Sequence, residues 1–135
     1  MHHLVSEHRE ASFLDGPSNR PGHMALWARL RGELAGHEMT PAGLGFLADM
    51  VPIACARACG VQGAGTSLDN SIRVGPVVDS EWVLVELEAH AAEGGYGYGV
   101  GHMWSPDGRM LATGTQSAIL FSVDEMRARR AARPG

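Results

Sequence analysis

The 135-residue chain sets 11 basic residues (Lys and Arg) against 15 acidic ones, a formal net charge of −4. It is 44% hydrophobic, with a mean hydropathy of −0.09. These values describe one soluble globular domain with a core of its own. The acidic balance argues against a phosphate polymer, so no nucleic-acid partner is expected. No apolar run reaches the ~20 residues of a membrane span, so no membrane partner is expected either.

The opening "MHHLVSEHRE" is polar and lacks the apolar centre of a secretory signal, which predicts a cytoplasmic protein. Residues 1–22, closing on "DGPSNRPG" (Asp15–Gly22), read as a polar N-terminal segment or linker. "HMALWARLRG" (His23–Gly32) reads as a first strand. In "TPAGLGFLADMVPIACARACG", Thr40 is a good N-cap, Pro41 suits the first helical turn and Gly60 supplies a stop. From Pro41 to Ala56 this helix carries a single charged residue, Asp49, and is apolar all round, which predicts burial on every side. Pro52 should kink it, because it lacks the amide that would bond back to Ala48. Cys55 and Cys59 share one helix face and read as reduced thiols. The seven histidines show no metal-ligand spacing, so neither metal nor cofactor is expected.

After the helix the period changes to two. Thr66–Val74, Glu81–Ala91, Gly94–Ser105 and Arg109–Phe121 read as four strands, with "SPDG" (Ser105–Gly108) as a tight turn between the last two. In "GGYGYGVGHMWS", Gly95, Gly97, Gly99 and Gly101 share one parity. They predict a bare strand face that a helix, a ligand or a partner strand can approach closely. Ser122 and Glu125 form a capping-box pattern for a short helix within the basic tail, residues 122–135. The fold class is therefore α+β: an antiparallel sheet wrapped round one long buried helix, spanning residues 23–121. One helix covers one sheet face, so the remaining surface predicts a homodimer.

Three positions could carry chemistry. Asp49 is either a structural carboxylate bonded to a loop or strand, or a general base made proton-hungry by desolvation. Gln116 projects from a row of small residues, Ala112, Gly114 and Ala118, which leaves room for a ligand; a sheet-bonded glutamine is the plainer alternative. That small row and the glycine face are expected to open on one space beside the helix. "TSLDNS" (Thr66–Ser71) is polar on both parities, with Ser67 and Asp69 predicted on one side and Thr66, Leu68 and Asn70 on the other. An edge-strand hydroxyl ladder would look the same. The glycine run opens no helix and is not a dinucleotide fingerprint, and no hydrolase nucleophile elbow is present.

Taken together, "LWARLRG", "GFLADMVPIA", "SLDNSI" and "DGRMLATGTQSAIL" resemble, in order and spacing, the hotdog-fold acyl-CoA thioesterases. The likeness is to the second half of the double-hotdog acyl-CoA thioesterase II type, over Pro21 to Phe121. The resemblance implies an acyl-CoA substrate hydrolysed to a free acid and CoA by direct attack of water. Asp49 would be the base, with Ser67 and Gln116 holding the water and helping to position the thioester. Ser67 stands where the family has Thr, Asn70 where it has His, and "RVGP" (Arg73–Pro76) where it has Phe-His-Arg-Pro. With one hotdog in this sequence, either two copies would supply what the double form holds in one chain, or the sequence is an isolated half of such a form. Two other functions fit the fold: a non-catalytic acyl-CoA-binding or assembly subunit, and a dehydratase or hydratase using His37.

Overall fold

The computed structural model describes residues 6–10, 22–30, 39–60, 63–76 and 80–134. In chain order these form β1 (Ser6–Glu10), β2 (His23–Leu30), α1 (Pro41–Ala48), α2 (Val51–Ala58), β3 (Gly63–Val74), β4 (Val83–Glu93), β5 (Tyr96–Trp104), β6 (Met110–Ser122) and α3 (Val123–Ala131). The strands make one antiparallel sheet in the order β1-β2-β4-β5-β6-β3. The α1–α2 helical stretch packs across it. A sheet wrapped round a helix is the architecture that the change of period predicts.

Alternation decides which side of each strand meets the helices. In β4, Val83, Val85 and Leu87 are fully buried, while Glu86 and Glu88 turn away. These side chains join Leu26, Met103, Leu111 and Ala112 against Leu44, Leu47, Val51, Ala54 and Cys55 of the helices. Thr40 caps α1 by accepting from the Gly43 amide at 3.1 Å. Where Pro52 has no amide to donate, the helix breaks into two, leaving Asp49 and Met50 as a turn between the halves.

The structure differs from the sequence reading in several places. Residues 6–10 form a strand, paired from Ser6↔Leu30 to Glu10↔Leu26, within a segment whose polar composition suggests a linker. An edge strand bonds on one side only and does not need the apolar content of a central one. The helices are not buried all round either. Phe46, Asp49, Ile53 and Arg57 form an exposed stripe, because a single sheet covers only the opposite side. Gly95 belongs to the turn and not to the glycine face. Gly94 and Gly95 have φ of 61° and 77°, the left-handed pair of a two-residue hairpin turn between β4 and β5.

The rest of the glycine face, Gly97, Gly99 and Gly101, lies directly under α2. A Cβ on Gly97 would lie 2.7 Å from the Cys55 Cβ; one on Gly99 would lie 2.4 Å from the Glu88 carbonyl oxygen and 2.9 Å from Val51. These glycines hold space for the helix, not for a ligand. The SPDG turn closes as expected, with the Gly108 amide donating to the Ser105 carbonyl at 2.9 Å. Around α3, the Ser122 hydroxyl accepts from the Glu125 amide at 3.1 Å and Glu125 accepts from the Ser122 amide at 2.8 Å.

Two glycine substitutions should therefore have opposite signs. Gly99→Ala should lower stability by about 1–3 kcal/mol through overpacking. Gly45→Ala, in helix α1 with nothing within 4 Å of the new carbon, should raise it by about 0.5–1 kcal/mol. Urea midpoints of the two variants check this; equal midpoints would contradict the packing described.

Candidate active site

The break between α1 and α2 determines where Asp49 points. As the C-cap of α1 (φ −77°, ψ 32°), Asp49 is exposed, so the burial expected from the helix's composition is absent and solvent reaches its carboxylate. β6 supplies the opposing group. Gln116 lies mid-strand between Gly114 and Ala118, small residues that let the helices sit close, and it is 1% exposed. Its Nε2 donates to Asp49 Oδ1 in a short hydrogen bond and to Ser67 Oγ of β3 at 3.1 Å. Three separate elements, brought together from across the sequence, thus meet at one amide group.

The bonds fix the orientation of that amide. Turned over, it would set its oxygen against the Asp49 carboxylate, two acceptors facing each other. In the orientation present, Oε1 is buried with no partner among the described residues. A buried carbonyl without a donor costs about 1–3 kcal/mol. Carrying that cost in the sheet interior fits a residue kept for its two N–H groups.

Ser67 reaches this site through an irregularity that the sequence does not announce. The β3–β6 register runs Ser67↔Ala118, skips Leu68, and resumes at Asp69↔Ser117 and Asn70↔Gln116. The bulge at Leu68 corrects the predicted parity. Ser67 and Asn70 share the helix side with Gln116, while Asp69 turns to the other face. There Asp69 Oδ1 accepts from the Ser117 amide at 3.0 Å and Oδ2 from the Ser117 hydroxyl at 3.3 Å. The Ser67 hydroxyl in turn donates to the Asp69 carbonyl at 3.0 Å. Asp69 thus braces the bulge beside Ser67, its carboxylate on Ser117 and its main-chain carbonyl taking the Ser67 hydroxyl. Its only sequence signal is polarity on both parities of the strand.

Burial, with Cys59 close by adding to it, pushes the Cys55 thiol up, so it stays protonated beneath the sheet. His37, the base a dehydratase would need, lies outside the described residues. Among the described residues no group of three or more His, Cys, Asp or Glu is placed to hold a metal, and no helix is long and apolar enough to cross a membrane.

A family model described as the acyl-CoA thioesterase C-terminal domain matches residues 3–120. A solved structure from Novosphingobium aromaticivorans DSM 12444, assigned as a thioesterase, is 36% identical with a TM-score of 0.73; the match covers 87% of this chain and 44% of that one. The tesB protein of Mycobacterium avium subs paratuberculosis matches at 20% identity and TM-score 0.66, over 87% of this chain and 48% of its own. A protein from Streptococcus pneumoniae TIGR4, assigned as a thioesterase and solved with coenzyme A, matches at 13% identity and TM-score 0.66, over 86% and 87%. At those identities the last two show the fold alone. The chain spans less than half the length of the Novosphingobium and Mycobacterium chains. No curated protein matches.

Asp69→Ala removes both acceptors for Ser117 and should lower stability by about 1–2 kcal/mol. Urea unfolding checks this, and an unchanged midpoint would mean that the bulge is held by backbone pairing alone.

Proposed function

The chain belongs to the acyl-CoA thioesterase C-terminal domain family, and from that premise we propose that it hydrolyses an acyl-CoA to a free carboxylic acid and CoA by direct attack of water. The observation that carries this reading is the Gln116 amide joined at once to Asp49 and Ser67. Asp49 is exposed and can touch a water, whereas Gln116 is buried and positions the carboxylate. The carboxylate takes a proton as the water oxygen bonds to the thioester carbon. Collapse of the tetrahedral adduct breaks the C–S bond, and the proton passes to the departing thiolate. A base on a solvent-reached turn, fixed by an amide behind it, suits this chemistry because it meets water without losing its aim.

A second copy of the chain belongs to this reading. Phe46 and Ile53 flank Asp49 at 49% and 41% exposure, and Leu68 beside Ser67 is 56% exposed. Large apolar side chains round a polar centre suit a covered face. A second hotdog laid over them would exclude bulk water from the thioester and enclose the acyl chain.

Another reading has its own observation. Asn70 occupies the strand position facing Gln116, and the Ser67 hydroxyl already donates to the Asp69 carbonyl. A hotdog that binds acyl-CoA without cleaving it would tolerate both. Thiol release separates the two readings. Asp49→Asn and Gln116→Ala should each lower acyl-CoA turnover about 100-fold or more, as loss of a positioned acid–base group does. Turnover within about twofold of the parent in both variants would overturn the hydrolytic assignment. Binding of a long acyl-CoA by the parent with no thiol released would select the second reading.

A further inference from the structure

Where the edge strand β3 meets α3 lies a groove of about 340 Å³ whose walls carry unusual charge for an acidic chain. Its lining includes Gly65 and Thr66 of β3, Phe121 of β6, Arg129 and Arg130 of α3, and Arg133 just after it. Four of the chain's 11 basic residues fall between Arg127 and Arg133, on or just after α3. Cations near a helix C-terminus are favoured by the helix dipole, which accounts for their presence but not for their convergence on one groove. Among the described residues none of the three arginines lining the groove makes an ion pair. Arg129 is held in place instead by Phe121, its guanidinium carbon 4.1 Å from the ring centroid.

The position of the groove indicates what it would hold. Thr66 is the residue before Ser67, and by alternation its side chain, like that of Phe121, faces away from the helix side that carries Ser67 and Gln116, so the groove opens on the other face of the strand that holds the cluster. β3 is the last strand of the sheet, so a long ligand with its reacting end at the cluster reaches the groove by passing round that edge. An acyl-CoA has this polarity: a thioester at one end and, beyond the pantetheine arm, a diphosphate and a 3′-phosphate on adenosine. Guanidinium groups match phosphate oxygens in paired, charge-assisted hydrogen bonds. We propose that the groove between β3 and α3 binds the phosphates of the CoA moiety through Arg129, Arg130 and Arg133. The inference rests on the acyl-CoA reading above, and it makes the basic C-terminal segment a working part of the site.

The test uses the full chain and the variant Arg130→Gln/Arg133→Gln, which leaves the Arg129–Phe121 contact in place. Arg127→Gln, on the same helix but outside the groove, is the control. Calorimetric binding of adenosine 3′,5′-bisphosphate should weaken about tenfold or more in the double variant and not in the control, as expected for lost charge-assisted bonds. KM for an acyl-CoA should rise in parallel, while kcat/KM for the same acyl group on pantetheine, which lacks the phosphates, stays unchanged. Binding of the bisphosphate that is equal in parent and double variant, or undetectable in the parent, would overturn the proposal. So would an equal loss on the pantetheine thioester. A KM rise confined to thioesters on an acidic acyl-carrier protein would also overturn it, assigning the arginines to that partner's surface. If the parent binds the bisphosphate, the double variant loses it and neither cleaves any thioester, the groove stands and the hydrolytic reading fails.

Discussion

Two hydrogen bonds from one buried amide organise this molecule's candidate site. Gln116 joins a helix break to an edge strand, and the alignment of Asp49 with Ser67 depends on it. Each neighbouring feature serves that contact. Pro52 ends the first helical segment where Asp49 must turn outward. Gly114 and Ala118 keep the sheet low on either side of the amide. The bulge at Leu68, braced by Asp69 on Ser117, brings the Ser67 hydroxyl to the side where Gln116 can reach it.

Helix height above the sheet is set further along. Without side chains at Gly97, Gly99 and Gly101, α2 can lie with Val51 and Cys55 almost on the backbone of β5. Helix and sheet are then close enough for a glutamine to span the gap at Asp49. Raising the helix by the width of a methyl group would leave the amide short of its carboxylate. Packing under α2 thus sets the geometry of the candidate site at Asp49, a coupling through close-packed contacts that admit little slack.

Much of this is legible in the sequence, for identifiable reasons. The change from helical to twofold period marks β3 to β6, and Thr40, Pro52, Ser105–Gly108 and Ser122 mark caps, break and turn through local chemistry alone. Gln116 among small residues points inward, as its parity requires. What local pattern does not carry is anything dependent on a partner element. The Leu68 bulge exists through the pairing of β3 with β6, so the predicted sides of Asp69 and Asn70 are exchanged. The glycine face reads alike whether a helix or a ligand lies over it. The strand at Ser6–Glu10 is defined by its pairing with β2. Asp49 is exposed against expectation because apolar composition says how much surface is to be covered, not whether one chain covers it.

The central claim is that Asp49 and Gln116 act as one unit in thioester hydrolysis. Its most direct test is a double-mutant cycle in kcat across the parent, Asp49→Asn, Gln116→Ala and the double variant. Residues that act as a unit are strongly non-additive. The account predicts that the double variant is about as slow as Asp49→Asn alone, because an amide with no carboxylate to aim has nothing left to contribute. A double variant whose loss equals the product of the two single losses would show independent roles and contradict the account.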